Sequence, residues 1–434
     1  MSVLWCGTAA AGDAVTDWNN FAVSLLASVG RPANEPAVAA AYMHVAMYDA
    51  INAIEGGYTP FAVKVSHVPP GASPDAAAGA AANVILAQLY PSLTSQITAQ
   101  YNAALAQLTA SAVSKADGIA VGQASANGLL AVRNFPNDGW MANVPYTFLP
   151  PGPGVYQQTP GPPPTFQYVG PVTPWVKQLR PFAITSPSQF RVGPPPALTS
   201  DRWADDFNEV KAFGALTGSV RTPEQSAISV FYGFINAAVQ IGMNLRRLVG
   251  EQQLSLRDDA RFFAQAYVTM ADSTIACWDS KYHYNFWRPI TAIHEADITI
   301  NDETQPDPTW APDVVTPGHP EYPAAHGCVT SAYANAIREF FGTNRLTMTL
   351  SGAATRTTPL VLTNRVFDST DDIVDEIINA RVYNGVHYRT SVVRGASIGR
   401  KVARWVARRH FQPLDDDSRD RDDRAERHDD DGRE

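Results

Sequence analysis

Along most of this chain, apolar positions recur every three or four residues, the period of one face of an α-helix. Trp18, Phe21, Leu25 and Leu26 follow that spacing between 15 and 28, with Asp13 or Thr16 available as a cap. The pattern predicts a second helix from Pro36 to Ile54, closed by Gly56-Gly57, with Tyr42, Met43, Met47 and Tyr48 facing a core. His44 lies within that stripe and reads as a core histidine rather than a ligand. Three Ala-rich helices are predicted over 74–90, 94–109 and 111–134, where small side chains permit close packing. Helices resume over 201–215 and 222–249, the latter opened by the capping sequence Thr222-Pro-Glu-Gln225. More are predicted over 256–279, 324–341, 371–382 and 392–410, with 297–322 as a loop. The Thr-rich stretch 343–369 reads as irregular or as a short hairpin, and no clean internal repeat is visible. The pattern is that of an all-α protein.

One region breaks it. Residues 145–196 hold 15 of the 33 prolines, a density that excludes helix and central strand alike. A solvated linker has little use for the interleaved Trp175, Phe182 and Phe190. The stretch is therefore read as an ordered loop wrapped over the helical body, at the mouth of a pocket.

Composition adds limits. Apolar residues at 45 % and charged ones at 17 % suit a soluble enzyme-like chain. The net charge of −9 is concentrated at the end: residues 415–434 carry 11 acids and 5 arginines, leaving the first 414 residues near −3. Such a body argues against nucleic-acid binding. Cys6, Cys277 and Cys328 imply no disulfide framework, and no apolar run reaches the 18 or so residues of a membrane span. No signal peptide is read, and the compartment stays unassigned. The expected organisation is a helical domain over 1–412, with the Pro-rich loop at 145–200 and an active-site half at 256–412. A disordered charged tail, 413–434, would follow.

Candidate chemistry gathers in that half. Lys281 and Arg288 are seven residues apart, about two helical turns, so on one helix they would share a face. His319-Pro-Glu-Tyr-Pro-Ala-Ala-His326-Gly327 supplies two imidazoles. Arg381 and His387, six apart, are not on one helical face, but Gly385 between them suggests a break that lets both converge. Three cations and two or three imidazoles suit a multiply charged oxyanion, which cations neutralise while histidines move protons or bind the central atom. HExxH, GxSxG and GxxxxGK[ST] sequences are missing.

Lys281-x6-Arg288-Pro289, Pro323-x-x-His326-Gly327 and Arg381-x5-His387 resemble the three-part signature of the type 2 phosphatidic acid phosphatase superfamily. The filling Lys-Tyr-x-Tyr-x-Phe-Trp-Arg-Pro and the sequence His-Pro-x-Tyr-Pro are similar to its vanadium-dependent haloperoxidase branch. The resemblance implies a double four-helix-bundle fold and an oxyanion pocket for vanadate, which phosphate can also occupy. In it Lys281, Arg288, Arg381 and the Ala325 N–H would bind oxygens, His387 would be the axial ligand to the metal, and His326 the acid–base residue. His319 would mark bromide-preferring chemistry. Hydrogen peroxide and halide would be substrates of a haloperoxidase. A phosphomonoester would be that of a metal-free acid phosphatase with His387 as nucleophile, and a non-catalytic binder of phosphate or vanadate is a third reading. A homo-oligomer is left open.

Two positions depart from the family pattern. Ala324-Ala325 stand where Ser-Gly is usual, so a hydroxyl bond to the anion worth about 1.5–3 kcal/mol is missing. Ser391 stands where an aspartate often follows the axial histidine, so His387 is less firmly aimed unless another carboxylate serves.

Overall fold

The computed structural model describes residues 13–414, apart from 33, 161–167, 170–171 and 358. Cys6, the Pro162-Pro163-Pro164 run and the tail from Asp415, for which disorder is expected, lie outside the described residues. Five helices form the first half: α1 Ala14–Ser28, α2 Asn34–Glu55, α3 Pro74–Leu89, α4 Thr94–Gln107 and α5 Ala112–Arg133. Their starts follow the local chemistry. Asp13, Ser73 and Ser111 accept the backbone N–H of Thr16, Ala76 and Ser114, satisfying donors that the first helical turn leaves free. The Ala-rich faces of α2 and α3 are buried, and α2 lies against both α3 and α9 (Leu256–Tyr284).

The second half adds α6 Asp201–Phe213, α7 Pro223–Gly233, α8 Ala237–Gln252 and α10 Pro289–His294. α11 Ala325–Phe341, α12 Thr370–Tyr383 and α13 Arg389–Arg409 pack with α9 as a second bundle. Two short antiparallel pairs complete the fold, β1 Thr159–Pro160 with β2 Tyr168–Val169 and β3 Met348–Ala353 with β4 Leu362–Phe367. The second pair is the hairpin that the Thr-rich stretch allowed.

The single helix expected over 222–249 is two. α7 and α8 meet at 95°, and the Asn236 carboxamide caps α8 by accepting from Ala238 and Val239 N–H. α10 was not anticipated at all. Among the described residues no single helix is long and apolar enough to cross a membrane.

The Pro-rich stretch is ordered against the body where it is described. Trp175 is buried, Phe182 and Phe190 pack on the core, and Asp272 of α9 accepts the consecutive N–H groups of Phe182, Ala183 and Ile184 at 2.7–2.8 Å. The first half repeats the device. Asp49 of α2 accepts from Phe61, Ala62 and Val63 at 2.6–2.9 Å. Burial pushes both carboxyls up to about 6, against the pull of those N–H bonds.

α11 and α13 approach closely because glycines line the contact. A Cβ on Gly327 would lie 2.5 Å from Val392 O, and one on Gly399 would lie 2.5 Å from Cys328 O. This seam matters because His326 stands at the start of α11 and His387 just before α13.

Candidate active site

α9 ends at Tyr284, where Asn285 takes the left-handed conformation (φ 49°) and its N–H closes on Lys281 O. Lys281 and Arg288 are therefore not on one helix, as their spacing had suggested. Lys281 sits in the last turn of α9, while Arg288 follows an extended break as the N-cap of α10, whose first residue is Pro289. Their convergence comes from the turn. The Pro-rich loop clamps it: Tyr156 N–H donates to Asn285 O at 2.8 Å and Trp287 N–H to Gly154 O at 3.1 Å.

Both cations are fully buried. Lys281 Nζ donates to Pro320 O and Glu321 O, each at 2.9 Å. Arg288 donates through Nε to His319 O at 2.9 Å and through Nη1 to Val386 O at 2.8 Å. Its Nη1 also lies 3.2 Å from His387 Nε2, and its Nη2 lies 3.0 Å from His319 Nδ1. Guanidinium can only donate, so His387 Nε2 presents a lone pair, whereas His319 Nδ1 also lies 3.2 Å from Pro320 O, which can only accept. His387 must then carry its hydrogen on Nδ1, 2.7 Å from Glu321 Oε1. Glu321 also accepts from Tyr388 N–H at 3.2 Å, and Ser391 Oγ lies 3.5 Å from its backbone carbonyl.

Glu321 is thus the carboxylate that holds His387, while Ser391 supplies none. Sequence reasoning named the stretch containing it but gave it no role. The available signal was an acid two residues after one histidine and five before another, in a segment too proline-rich to be an ordinary solvated helix.

Arg381 lies on the last turn of α12, which Gly385 (φ 76°) breaks as expected. A Cβ there would lie 2.3 Å from Gly214 O, so the reversal needs glycine both for conformation and for room. Arg381 Nη1 donates to Asn384 Oδ1 at 2.5 Å, and Asn384 in turn donates to Ser229 O at 2.8 Å. Behind them Asp313 is occupied by Arg221 and Arg356. Arg381 has no carboxylate partner among the described residues, and its Nε is buried without any hydrogen-bond partner.

His326 is half-buried on the first turn of α11. That helix starts at Ala324 with no side-chain cap, leaving backbone donors such as the Ala325 N–H for another acceptor. Ala324 is buried, and its N–H donates to Ser391 O at 3.1 Å. His319 is buried, with its ring centroid 5.1 Å from that of Trp278.

The electrostatics follow from burial. Loss of water drives Lys281, Arg288 and Arg381 down to about 8, 10 and 9, and repulsion from Arg288 lowers the other two further. Burial and the three positive charges hold His326 and His387 well below the ordinary imidazole range, so both rings are neutral at pH 7. His319 is lowered the same way, by burial, Lys281 and Arg288. Burial raises Glu321 to about 7, opposed by Lys281 and Arg288. Three buried cations face one buried carboxylate, an imbalance that low-dielectric surroundings make expensive until an anion enters. An orphaned Arg381 Nε, an uncapped helix start and an imidazole lone pair at His387 fit an oxyanion such as vanadate or phosphate.

Residues 261–416 match the family model of the vanadium chloroperoxidase (VCPO) second helical-bundle domain. Vanadium chloroperoxidase of Curvularia inaequalis is 25 % identical over 214 residues, 40 % of this chain and 34 % of that protein. The alignment therefore spans about a third of that relative's length. Over residues 261–416 the chain therefore resembles the second helical-bundle domain of vanadium chloroperoxidase. Solved structures share its helical-bundle fold. A bacterial vanadium-dependent iodoperoxidase aligns with TM-score 0.75 at 23 % identity, over 93 % of this chain and 96 % of that one. A holo-type bacterial vanadium-dependent chloroperoxidase aligns with TM-score 0.70 at 17 % identity, over 93 % and 94 %.

Proposed function

We propose that this protein is a vanadate-dependent haloperoxidase that oxidises halide with hydrogen peroxide, bromide being the expected preference. The supporting observation is the excess of buried cations over carboxylates around the His387 lone pair. Bound vanadate supplies a Lewis-acid centre that activates hydrogen peroxide without changing oxidation state. Lys281, Arg288, Arg381 and the Ala325 N–H would hold its oxygens, and His387 Nε2 would be the ligand to the metal. Glu321 keeps the hydrogen of His387 on Nδ1, so that the lone pair stays aimed at the pocket. His326, neutral among cations, would be the base that accepts a proton from hydrogen peroxide. Arg288 lies within hydrogen-bonding reach of both His387 and His319, which supports a role for His319 in halide preference.

The test is peroxide-driven oxidation of chloride, bromide and iodide by the purified protein, with and without added vanadate. Activity should require vanadate and vanish in His387→Ala; unchanged turnover in that variant refutes the assignment. Metal-free hydrolysis of a simple phosphomonoester, inhibited by vanadate, would instead make the protein a phosphatase with His387 as nucleophile. Phosphate binding without either activity would make it a binding protein.

A further inference from the structure

Asn384 follows α12 directly and is fully buried. Its backbone does not ask for asparagine. The φ angle of −69° is right-handed, and the left-handed step that asparagine tolerates is taken by Gly385 instead. What the position uses is the side chain. Among the described residues the Asn384 carboxamide is the one hydrogen-bond partner of the Arg381 guanidinium, Nη1 donating to Oδ1 at 2.5 Å.

A chain of donors and acceptors keeps that amide from turning over. Arg221 Nη2 donates to Asp313 Oδ1 at 2.8 Å, and Arg356 Nη2 reaches both carboxylate oxygens at 2.9–3.0 Å. A carboxylate between two guanidiniums only accepts, so the Ser229 hydroxyl, 2.5 Å from Asp313 Oδ2, must point its hydrogen there. The Ser229 oxygen then turns its lone pairs to Asn384. It accepts from Nδ2 at 2.6 Å, and the Ser229 backbone carbonyl accepts the other amide hydrogen at 2.8 Å. With both hydrogens engaged by Ser229, Oδ1 is left for Arg381. Packing closes the remaining room, since a Cβ on Gly233 of α7 would lie 2.9 Å from Asn384 Nδ2.

The order of this chain has an electrostatic consequence. A carboxylate touching Arg381 directly would aim the guanidinium and cancel its charge at once. Two neutral groups in between pass on orientation and withhold the charge, so Arg381 keeps its attraction for an anion. Stability alone gives no reason for this, because it leaves a buried cation with its Nε unpartnered. We propose that Asn384 is a positioning residue of the oxyanion pocket: locked through Ser229 by Asp313, its amide aims the Arg381 guanidinium at the bound anion without neutralising it. This role rests on the oxyanion reading of the pocket, whichever reaction follows there.

Equilibrium dialysis of the full-length protein against labelled inorganic phosphate tests this without any turnover. Asn384→Ala should lower phosphate affinity about 10–100-fold, the usual cost of losing a group that orients a ligand-binding side chain. Asn384→Asp keeps an oxygen for Arg381 but cancels its charge, and should fall at least as far. Ser229→Ala touches neither Arg381 nor the anion; it frees the amide to turn over and should lower affinity by less. A double-mutant cycle with Arg381→Lys separates aiming from folding. With the guanidinium gone Asn384 has nothing to aim, so Asn384→Ala should cost less than about twofold in that background. Costs that multiply would make Asn384 a purely structural residue and overturn the proposal. Parental affinity in Asn384→Ala, Asn384→Asp or Ser229→Ala would overturn it too, while leaving the oxyanion pocket standing. A parent that binds neither phosphate nor vanadate would remove the pocket itself. Should Asn384→Ala not fold, or Arg381→Lys not bind, Asn384→Asp and Ser229→Ala remain decisive.

Discussion

Each half of the molecule buries a histidine among polar side chains, and the two arrangements have opposite consequences. In the first half, His44 of α2 is fully buried, stacked at 4.9 Å on Tyr267 and 5.0 Å from Phe263. Asn19 Nδ2 lies 3.0 Å from His44 Nε2 and 2.8 Å from Tyr267 OH, while Arg246 donates to Asn19 Oδ1 at 2.7 Å. One cation is shared there through neutral amides and hydroxyls. Around His387 three cations converge on one carboxylate, and donors are left over. Burial of a histidine therefore says little by itself. A surplus of buried charge says that something is meant to enter.

The sharpest way to break that contrast is to remove the surplus. Arg381→Met should abolish vanadate and phosphate binding. It should also make the ligand-free protein more stable by about 1–4 kcal/mol, since an uncompensated buried cation is replaced by an apolar chain of similar length. Denaturant unfolding with and without phosphate measures both effects. A less stable ligand-free variant would mean that Arg381 has an internal counter-charge after all.

Glu321→Gln tests whether the carboxylate aims His387. Vanadate affinity, read by equilibrium dialysis independently of turnover, should fall about 10–100-fold while the fold is retained. Unaltered affinity would leave the 2.7 Å contact without a role in binding.

His44 gives the corresponding test in the other half. Burial lowers it to about 3, with help from Arg246. Its folded value lies below the ordinary 6.5, so below pH 6.5 the unfolded chain takes up a proton that the folded one refuses. Stability present above pH 6.5 is then lost as the pH falls towards 3, by about 2 kcal/mol between pH 6.5 and 5. Comparing urea midpoints at the two pH values with those of His44→Gln isolates the loss. Parallel behaviour of the two proteins would contradict it, and His44→Gln should keep its vanadate affinity.

The smallest effect is expected from Ala324→Ser. A hydroxyl at the uncapped start of α11 can serve the helix or the anion, worth about 1 kcal/mol as a cap or about tenfold in vanadate affinity as a ligand contact, the low end for a hydrogen bond to a charged group. Thermal unfolding with and without vanadate tells which. No change in either would show that buried Ala324 leaves no room for the hydroxyl.

Much of the helical architecture is legible because helix faces and caps are local. Asp13, Ser73, Ser111 and Thr222 mark starts that the backbone uses. The break at 234–236 was also written locally, as a glycine followed closely by the capping Asn236, yet apolar periodicity across it masked the signal. The left-handed Asn285 was masked likewise by the tempting seven-residue spacing of Lys281 and Arg288. Lys281, Arg288, His326, Arg381 and His387 were identifiable because each lies in a short motif, and the structure brings their charges within mutual influence.

The amino-acid order alone determined most of the helices, the proline-rich wrap and the stock of cations and imidazoles. Only the folded arrangement decided which carboxylate meets which base. Glu321 lies 66 residues before His387 and reaches it at 2.7 Å, while Asp313 is taken up by Arg221 and Arg356 and gives nothing to Arg381. A sequence counts charges, but their energies depend on how much water is removed and which partners remain, and those are properties of distance through a packed interior.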